Sequence, residues 1–434
     1  GQKNIYDNPK IITLLKFFAL SELINEKNIS NVNLNLQLEA SVLKQFTELL
    51  KVKKINFEII QNNEIKEKKC TSLISSLFYA FYFYFLRLNF LKNKKDNTKI
   101  ALFDFLIEKK DESYSSYFTS LPDVLMKNNF SYTFSHLFFK RDFKNLFQTD
   151  FNFFSKRDHI IDREMNFKIF LSVVNNLLIL NFKRKKLQDL PDIFTKKTSG
   201  INYSNLLLND FIDSLINRDV IKGLFYHEII KKYLTNNESF NAGIYPLENQ
   251  PWENILVFNW KKIINNNIYG MIHTTARFWD LRMYYGKKYK KISQILPNKI
   301  LSNSSHASIN LLNGGYEKDI IIEVEALRYL DIKKNYSRKK NKSDDRILIC
   351  GDFSHKLNNY LITINNKLLK FYNVDFLPHP TSKINHSISN LVNGKLTDLL
   401  HNYKIIITSS VSSSAVDAYE NRKNVYQYVE EEGL

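Results

Sequence analysis

Apolar positions recur in two periods along this chain. Short apolar runs of strand length alternate with segments whose apolar residues lie three and four apart. The spacing around Ile11 to Ile24 is helical, and Val32 to Leu36, Ala40 to Leu50 and Ile55 to Ile60 read as strand, helix and strand. Lys99 to Ile107 reads as a central strand, followed by a polar loop from Glu108 to Ser116. A helix then runs over Tyr117 to Lys127 with Leu121, Val124 and Leu125 on one face. Residues 130–235 read as mostly helical, most strongly at Phe167 to Phe182. A short strand from Gly243 runs into a turn and a helix that opens at Pro251, a residue suited to a first helical turn. Gly270 to His273 is another strand. The basic stretch Lys287 to Pro297 is the expected linker, and a second sheet is expected to start at Lys299 to Ser302. That sheet continues through a helix at His306 to Leu312 and a strand at Asp319 to Val324. Further strands are expected at Arg346 to Cys350, Phe376-Leu377 and Tyr403 to Thr408, with a helix at Lys356 to Tyr372. The alternation predicts an α/β protein of two Rossmann-type domains facing each other across a cleft. The boundaries are 1–290, with extra helices, and 298–434.

Composition narrows the class. With 434 residues, 44% hydrophobic and 24% charged, the chain is long enough for two or three cores and is not of disordered type. The two cysteines, Cys70 and Cys350, leave no disulfide framework and no cysteine-based zinc cluster. A formal net charge of +18 suggests nucleic acid or an anionic membrane surface. The basic residues sit in scattered clusters without interleaved aromatics, which speaks against nucleic acid and leaves anionic lipid or acidic glycan as partners. Thr71 to Leu91 approaches the ~20 residues of a membrane span. Its serines, tyrosines and Arg87 favour a buried or membrane-surface helix instead. No secretory pattern opens the chain, and the ending just after a strand-like run leaves room for a further C-terminal piece.

Candidate chemistry gathers where strands end. Tyr403 to Tyr419 is a strand, a hydroxyl-rich turn (Ser409, Ser410, Ser412, Ser413) and a helical segment, the ingredients of a phosphate site; the plain alternative is a serine-capped helix. Phe376-Leu377-Pro378-His379-Pro380 places a histidine between prolines at the end of the preceding strand; its ordinary titration lies near working pH. Glu248 falls where a strand gives way to a helix, placed for a general base or simply for capping. His273 and Arg277 sit at another strand end, where an arginine suits an anionic sugar or phosphate. Tyr114, Ser115, Ser116 and Tyr117 either face an acceptor or form loop surface. Asp352 lies in a loop that borders the expected nucleotide site, and Arg328 is a second candidate for an anionic group, each with a plain salt-bridge alternative.

In that order the motifs resemble bacterial GT-B glycosyltransferases of surface-carbohydrate synthesis. The branches concerned are the sialyltransferases and Kdo transferases that use CMP-activated acidic sugars, with the CDP-glycerol polymerases sharing the plan. The stretches that carry the likeness are Leu247 to Glu253, His273 to Arg282, Glu325 to Tyr329 and Ser409 to Tyr419. The resemblance implies an acceptor-binding N-terminal domain and a C-terminal domain for the nucleotide sugar. It implies Glu248 as base and His379 with Pro380 at the donor's phosphate or carboxylate. Ser409, Ser410, Ser412 and Ser413 would hold the phosphate. It implies transfer of a nonulosonic acid or Kdo-like sugar to a glycan or glycolipid acceptor. The protein would then be cytoplasmic, peripheral at the inner face of the plasma membrane, with no nucleic-acid partner. No cofactor or metal is expected beyond the donor, because no Asp-x-Asp motif is present. The chain departs from those branches in carrying Glu248-Asn249-Gln250 where they have paired acids and a glycine. Alternatives are a UDP-sugar, GDP-sugar or CDP-glycerol donor, with Asp417 or Glu420 on the ribose, and a non-catalytic scaffold of a surface-glycan assembly complex.

Overall fold

The computed structural model describes residues 9–35, 39–61, 71–88, 98–106, 115, 117–138, 158–187, 201–273, 281–284, 293–327, 345–352, 354–379, 388–410 and 412–429. Among them the N-terminal strand, helix and strand appear as expected. β1 (Asn31–Asn35) and β2 (Asn56–Gln61) pair in parallel and are joined through helix Ala40–Val52. Leu49, Ile201 and Leu206 bury together with Phe17 of helix Pro9–Glu26.

The main sheet holds β3 (Ile100–Leu106), β4 (Tyr132–Phe138), β5 (Asp158–Ile160), β6 (Ala242–Pro246), β7 (Asn267–Met271), β8 (Lys299–Ser302) and β9 (Ile321–Glu323). Its order is β5-β4-β3-β6-β7-β8-β9, and every neighbouring pair is parallel. From β3 the chain winds outward through β4 and β5, then crosses back and winds the other way from β6. The winding reverses between β3 and β6. Successive residues of β3 serve opposite faces: Ala101 and Phe103 join the large cluster under helices Phe167–Lys186, Arg218–Asn236 and Pro251–Ile263, while Leu102 packs with Phe118, Phe134 and Met271. That two-sided burial is what a parallel sheet demands.

A second parallel sheet contains β10 (Ile347–Cys350), β11 (Val374–Leu377), β12 (Ile405–Ser409) and β13 (Asn424–Tyr428), in the order β11-β10-β12-β13. Here too alternate residues split between faces, Ile347 and Ile349 to one cluster and Leu348 and Cys350 to the other. The reversal of winding lies between β10 and β12. The structure is thus α/β, with two Rossmann-type sheets and extra helices in the N-terminal part.

Three expectations differ in detail. The strands at 299–302 and 321–323 do not begin the second sheet; ladder bonding to β7 makes them the far edge of the first. The second sheet starts at Ile347, and the expected linker falls inside the first unit. Residues 130–235 are not mainly helical at their start, because β4 lies there with all seven residues buried. Its polar positions are satisfied internally: Thr133 pairs with Thr98 at 2.8 Å and Ser135 with Tyr233 at 2.7 Å. The helix expected over Thr71 to Leu91 is present as Leu73–Arg87, and no helix among the described residues is long and apolar enough to cross a membrane.

Candidate functional site

In open α/β sheets, ligands settle outside the carboxyl ends of the strands where the winding reverses. Both reversals in this chain carry clusters of polar side chains.

At the first, β6 ends in Pro246 and hands over to Leu247-Glu248-Asn249-Gln250 before helix Pro251–Ile263. Asn249 takes a left-handed conformation (φ 55°), which asparagine tolerates. Its amide donates to the Arg282 carbonyl and the Tyr316 hydroxyl, both at 2.8 Å. Glu253, on the first turn of the helix, accepts the N–H groups of Glu248 and Asn249 at 3.0 and 2.9 Å through Oε2. The turn that presents Glu248 is thereby tied at both ends. Glu253 is 1% exposed, and its Oε1 has no hydrogen-bond partner. Burial, reinforced by the charge of Glu248, pushes its carboxyl well above the usual range and outweighs the backbone bonds that pull the other way.

Glu248 itself lies beside a histidine and an arginine. Its Oε1 lies 3.4 Å from His273 Nε2, its Oε2 lies 3.9 Å from an Arg282 guanidinium nitrogen, and Gln250 donates to Oε2. His273 follows the end of β7, and the Tyr117 ring meets it edge-on with centroids 4.9 Å apart. Burial pushes the Tyr117 phenol far up, with the charges of Glu248, Asp104 and Glu253 adding to it, so the hydroxyl keeps its proton at neutral pH. Beneath this cluster Asp104 of β3 faces its register partner His136 of β4, and the two are hydrogen bonded. His136 Nε2 reaches Asp158 at 3.2 Å, and Ser115 donates to Asp104 at 2.5 Å. Burial alone would lower the His136 imidazole; Asp104, with Asp158 assisting, overrides it and holds the pKa up at about 9.

At the second reversal, β10 runs into Gly351 and Asp352. Asp352 is 1% exposed and fully engaged: Oδ1 accepts the Ser354 N–H at 2.8 Å, and Oδ2 accepts the Ser409 hydroxyl from the end of β12. Asn358 closes the loop, accepting the Asp352 N–H at 2.7 Å and donating to its carbonyl at 2.5 Å. A side chain at Gly351 would lie 3.0 Å from Asn358 Oδ1 and 3.2 Å from the His379 backbone nitrogen, so glycine lets the chain beyond β11 approach. His379 lies just beyond that strand. Burial lowers its imidazole pKa against the opposing pull of Asp352, which favours a neutral ring at pH 7. In the serine turn, Ser410 N–H bonds to the Tyr428 carbonyl at 2.9 Å, and Ser412 Oγ accepts the Ser414 N–H at 3.3 Å. The helix that follows, Ser414–Glu420, has seven residues, and the Ser413 side chain makes no cap bond to it.

The structure therefore brings Glu248 together with His273, and Asp352 with Ser409 and His379. One of these residues acts differently from expectation: Ser409 is buried and spends its hydroxyl on Asp352 rather than presenting it to a phosphate, while Asp352 holds the loop from within. Tyr114, Ser116, Arg277, Arg328 and Pro380 lie outside the described residues. Sequence reasoning missed Glu253, Arg282, Asp104, His136 and Asp158. Glu253 and Arg282 fall in the stretches that carry the family likeness and were legible by position; a buried Asp–His–Asp row assembled from three strands leaves no local signal. Among the described residues no group of three or more His, Cys, Asp or Glu is arranged to hold a metal ion.

No known protein family's sequence profile matches this chain, and no curated protein matches it. Among solved structures, it is similar to the UDP-GlcNAc 2-epimerase of Neisseria meningitidis bound to UDP-GlcNAc, with 12% identity, 76% of this chain and 81% of that one covered, and a TM-score of 0.41. It is similar to HepE of Anabaena in complex with UDP and glucose, with 9% identity, 76% and 80% coverage and a TM-score of 0.36. The wall teichoic acid polymerase TagF is similar at 12% identity, with 89% and 78% coverage and a TM-score of 0.34. At these scores the likenesses carry no argument about this chain, whose two-sheet α/β architecture stands on its own strand order.

Proposed function

We propose that the protein is a glycosyltransferase that takes a nucleotide-activated donor at the second sheet and an acceptor at the first. The observation that carries this reading is that the two polar clusters lie at the reversals of two separate Rossmann-type sheets, where ligands of such sheets bind. In the proposed reaction an acceptor hydroxyl attacks the anomeric carbon of a sugar donor, or the glycerol-bearing phosphorus of CDP-glycerol, and the bond from that atom to the departing nucleotide phosphate breaks. The hydroxyl proton goes to the Glu248 carboxylate, beside which His273 and Arg282 lie at 3.4 and 3.9 Å. Negative charge gathering on the departing phosphate is met by hydrogen-bond donors at the second edge, the His379 imidazole and the hydroxyls of Ser410, Ser412 and Ser413. Asp352, Ser409 and Asn358 fix the loop beside them.

The donor's nucleotide is the finer question. The sequence resemblance favours a CMP-linked acidic sugar, with a UDP-sugar, GDP-sugar or CDP-glycerol as the alternative. With Arg277 and Arg328 outside the described residues, Arg282 is the cation placed to meet an acidic sugar or a phosphate.

Nucleotide release tests the proposal. The protein is incubated with CMP-N-acetylneuraminic acid, UDP-N-acetylglucosamine, GDP-mannose and CDP-glycerol in turn, and free nucleotide is followed. Release from one donor is expected, falling by about 10²-fold or more in Glu248→Gln with nucleotide affinity retained. Release from none of the four, or undiminished release in the variant, overturns it.

A further inference from the structure

Two helices lie side by side on the first unit, Leu73–Arg87 and Phe167–Lys186. Phe170 joins them, its ring centroid 5.0 Å from that of Tyr84 and 6.3 Å from that of Phe81. Each helix buries one stripe, Ala80, Phe83 and Leu86 on the first, and Ile169, Val173 and Leu177 on the second. The opposite stripes, which ought to be polar on a helix facing water, are apolar. On the first helix Ile74, Phe78, Phe81 and Phe85 are exposed at spacings of three and four, Phe78 at 71%. The second helix matches them with Phe167, Leu171, Leu178, Ile179 and Phe182, the last at 65%. Exposed apolar surface on this scale on one face marks an interaction site.

The charge on the same two helices says what meets that face. Neither sequence contains an aspartate or a glutamate. The cations cluster at the ends: Lys168 in the first turn, then Lys183, Arg184 and Lys186 in the last, with the Lys186 ammonium 5.3 Å over the Phe182 ring. We propose that this face lies on an anionic bilayer, its aromatic stripes at the boundary of the acyl chains and its lysines among the headgroup phosphates. An apolar stripe flanked by lysines is the pattern of helices that lie in the interface rather than cross it. A second copy of the chain is a poorer occupant, because the same cationic helices would meet with no carboxylate on either to pair them. The face is distinct from both polar clusters, so membrane binding is read without any donor or acceptor.

Co-sedimentation with vesicles tests this, using phosphatidylcholine alone and equal amounts of phosphatidylcholine and phosphatidylglycerol. The protein is expected to bind the anionic vesicles and to be released by salt. Phe78→Glu combined with Phe182→Glu should weaken binding by at least about tenfold while the far-UV spectrum and Tm stay unchanged, since both side chains are exposed. Lys183→Gln with Lys186→Gln should weaken it several-fold and flatten the salt dependence. No binding to anionic vesicles, or binding that the paired glutamates leave intact, overturns the proposal. A concentration-dependent dimer that those glutamates break, without vesicle binding, would assign the face to a second copy.

Discussion

Glu248 and Glu253 lie five residues apart on one turn, yet their surroundings give them opposite characters. Glu248 has His273 and Arg282 at its oxygens; Glu253 is walled off and meets only backbone N–H groups on one side. A carboxyl whose pKa is raised on folding keeps its proton in the native state after the unfolded chain has lost it, so it destabilises the fold as pH climbs above the ordinary carboxylate value. Thermal midpoints should therefore fall more between pH 5 and 8 for the wild type than for Glu253→Gln; parallel profiles would contradict the assignment. His136 predicts a second pH dependence. Its pKa of about 9 stabilises the fold by roughly 3 kcal/mol below the ordinary histidine value, and that contribution is lost as pH rises through 9. His136→Gln should remove the loss between pH 7 and 10, measured by urea unfolding. Of these residues Glu248 is the one whose chemistry was legible in the sequence, from its place between a strand and a proline-opened helix; Glu253 was legible there by position alone. Glu253 reads there as an ordinary first-turn acid, and burial, which decides its chemistry, depends on how Trp252 and its neighbours pack.

At the scale of elements, what the sequence showed best was the strand that ends in chemistry. Ile347 to Cys350, with Gly351-Asp352 behind it, and Ile405 to Ser409 are short apolar runs with sharp ends, and both are strands where expected. β4 was read wrongly because its Thr133, Ser135 and His136 mimic a surface pattern, while their partners come from 98, 233, 104 and 158. The assignment of 299–302 to the second sheet failed for a related reason: periodicity identifies a strand and says nothing of its neighbour. Close packing behind the second edge makes a prediction of its own. Gly351→Ala would press a methyl group against Asn358, His379 and Phe376 at 3.0 to 3.2 Å. It should cost about 1–3 kcal/mol in unfolding free energy and weaken nucleotide binding several-fold, whereas unchanged binding would place His379 away from the ligand.

Across the whole molecule, each sheet has its own core. The buried clusters around β3 to β9 draw on residues before 328, and those around β10 to β13 on residues from 347 onward. These two sets share no residue and should open separately, so native-state hydrogen exchange in urea should resolve a division between residues 327 and 347. A single unit spanning both would contradict that division. The central claim, that the second unit's reversal edge binds the donor's nucleotide, is tested most directly by calorimetric titration of the intact protein with CMP, CDP, UDP and GDP, repeated on His379→Ala. The account predicts that one of these nucleotides binds and that the substitution weakens it by about tenfold or more, with CMP or CDP selecting a cytidine-linked donor and UDP or GDP a sugar diphosphate. Binding of none of the four, or binding indifferent to His379, would contradict it.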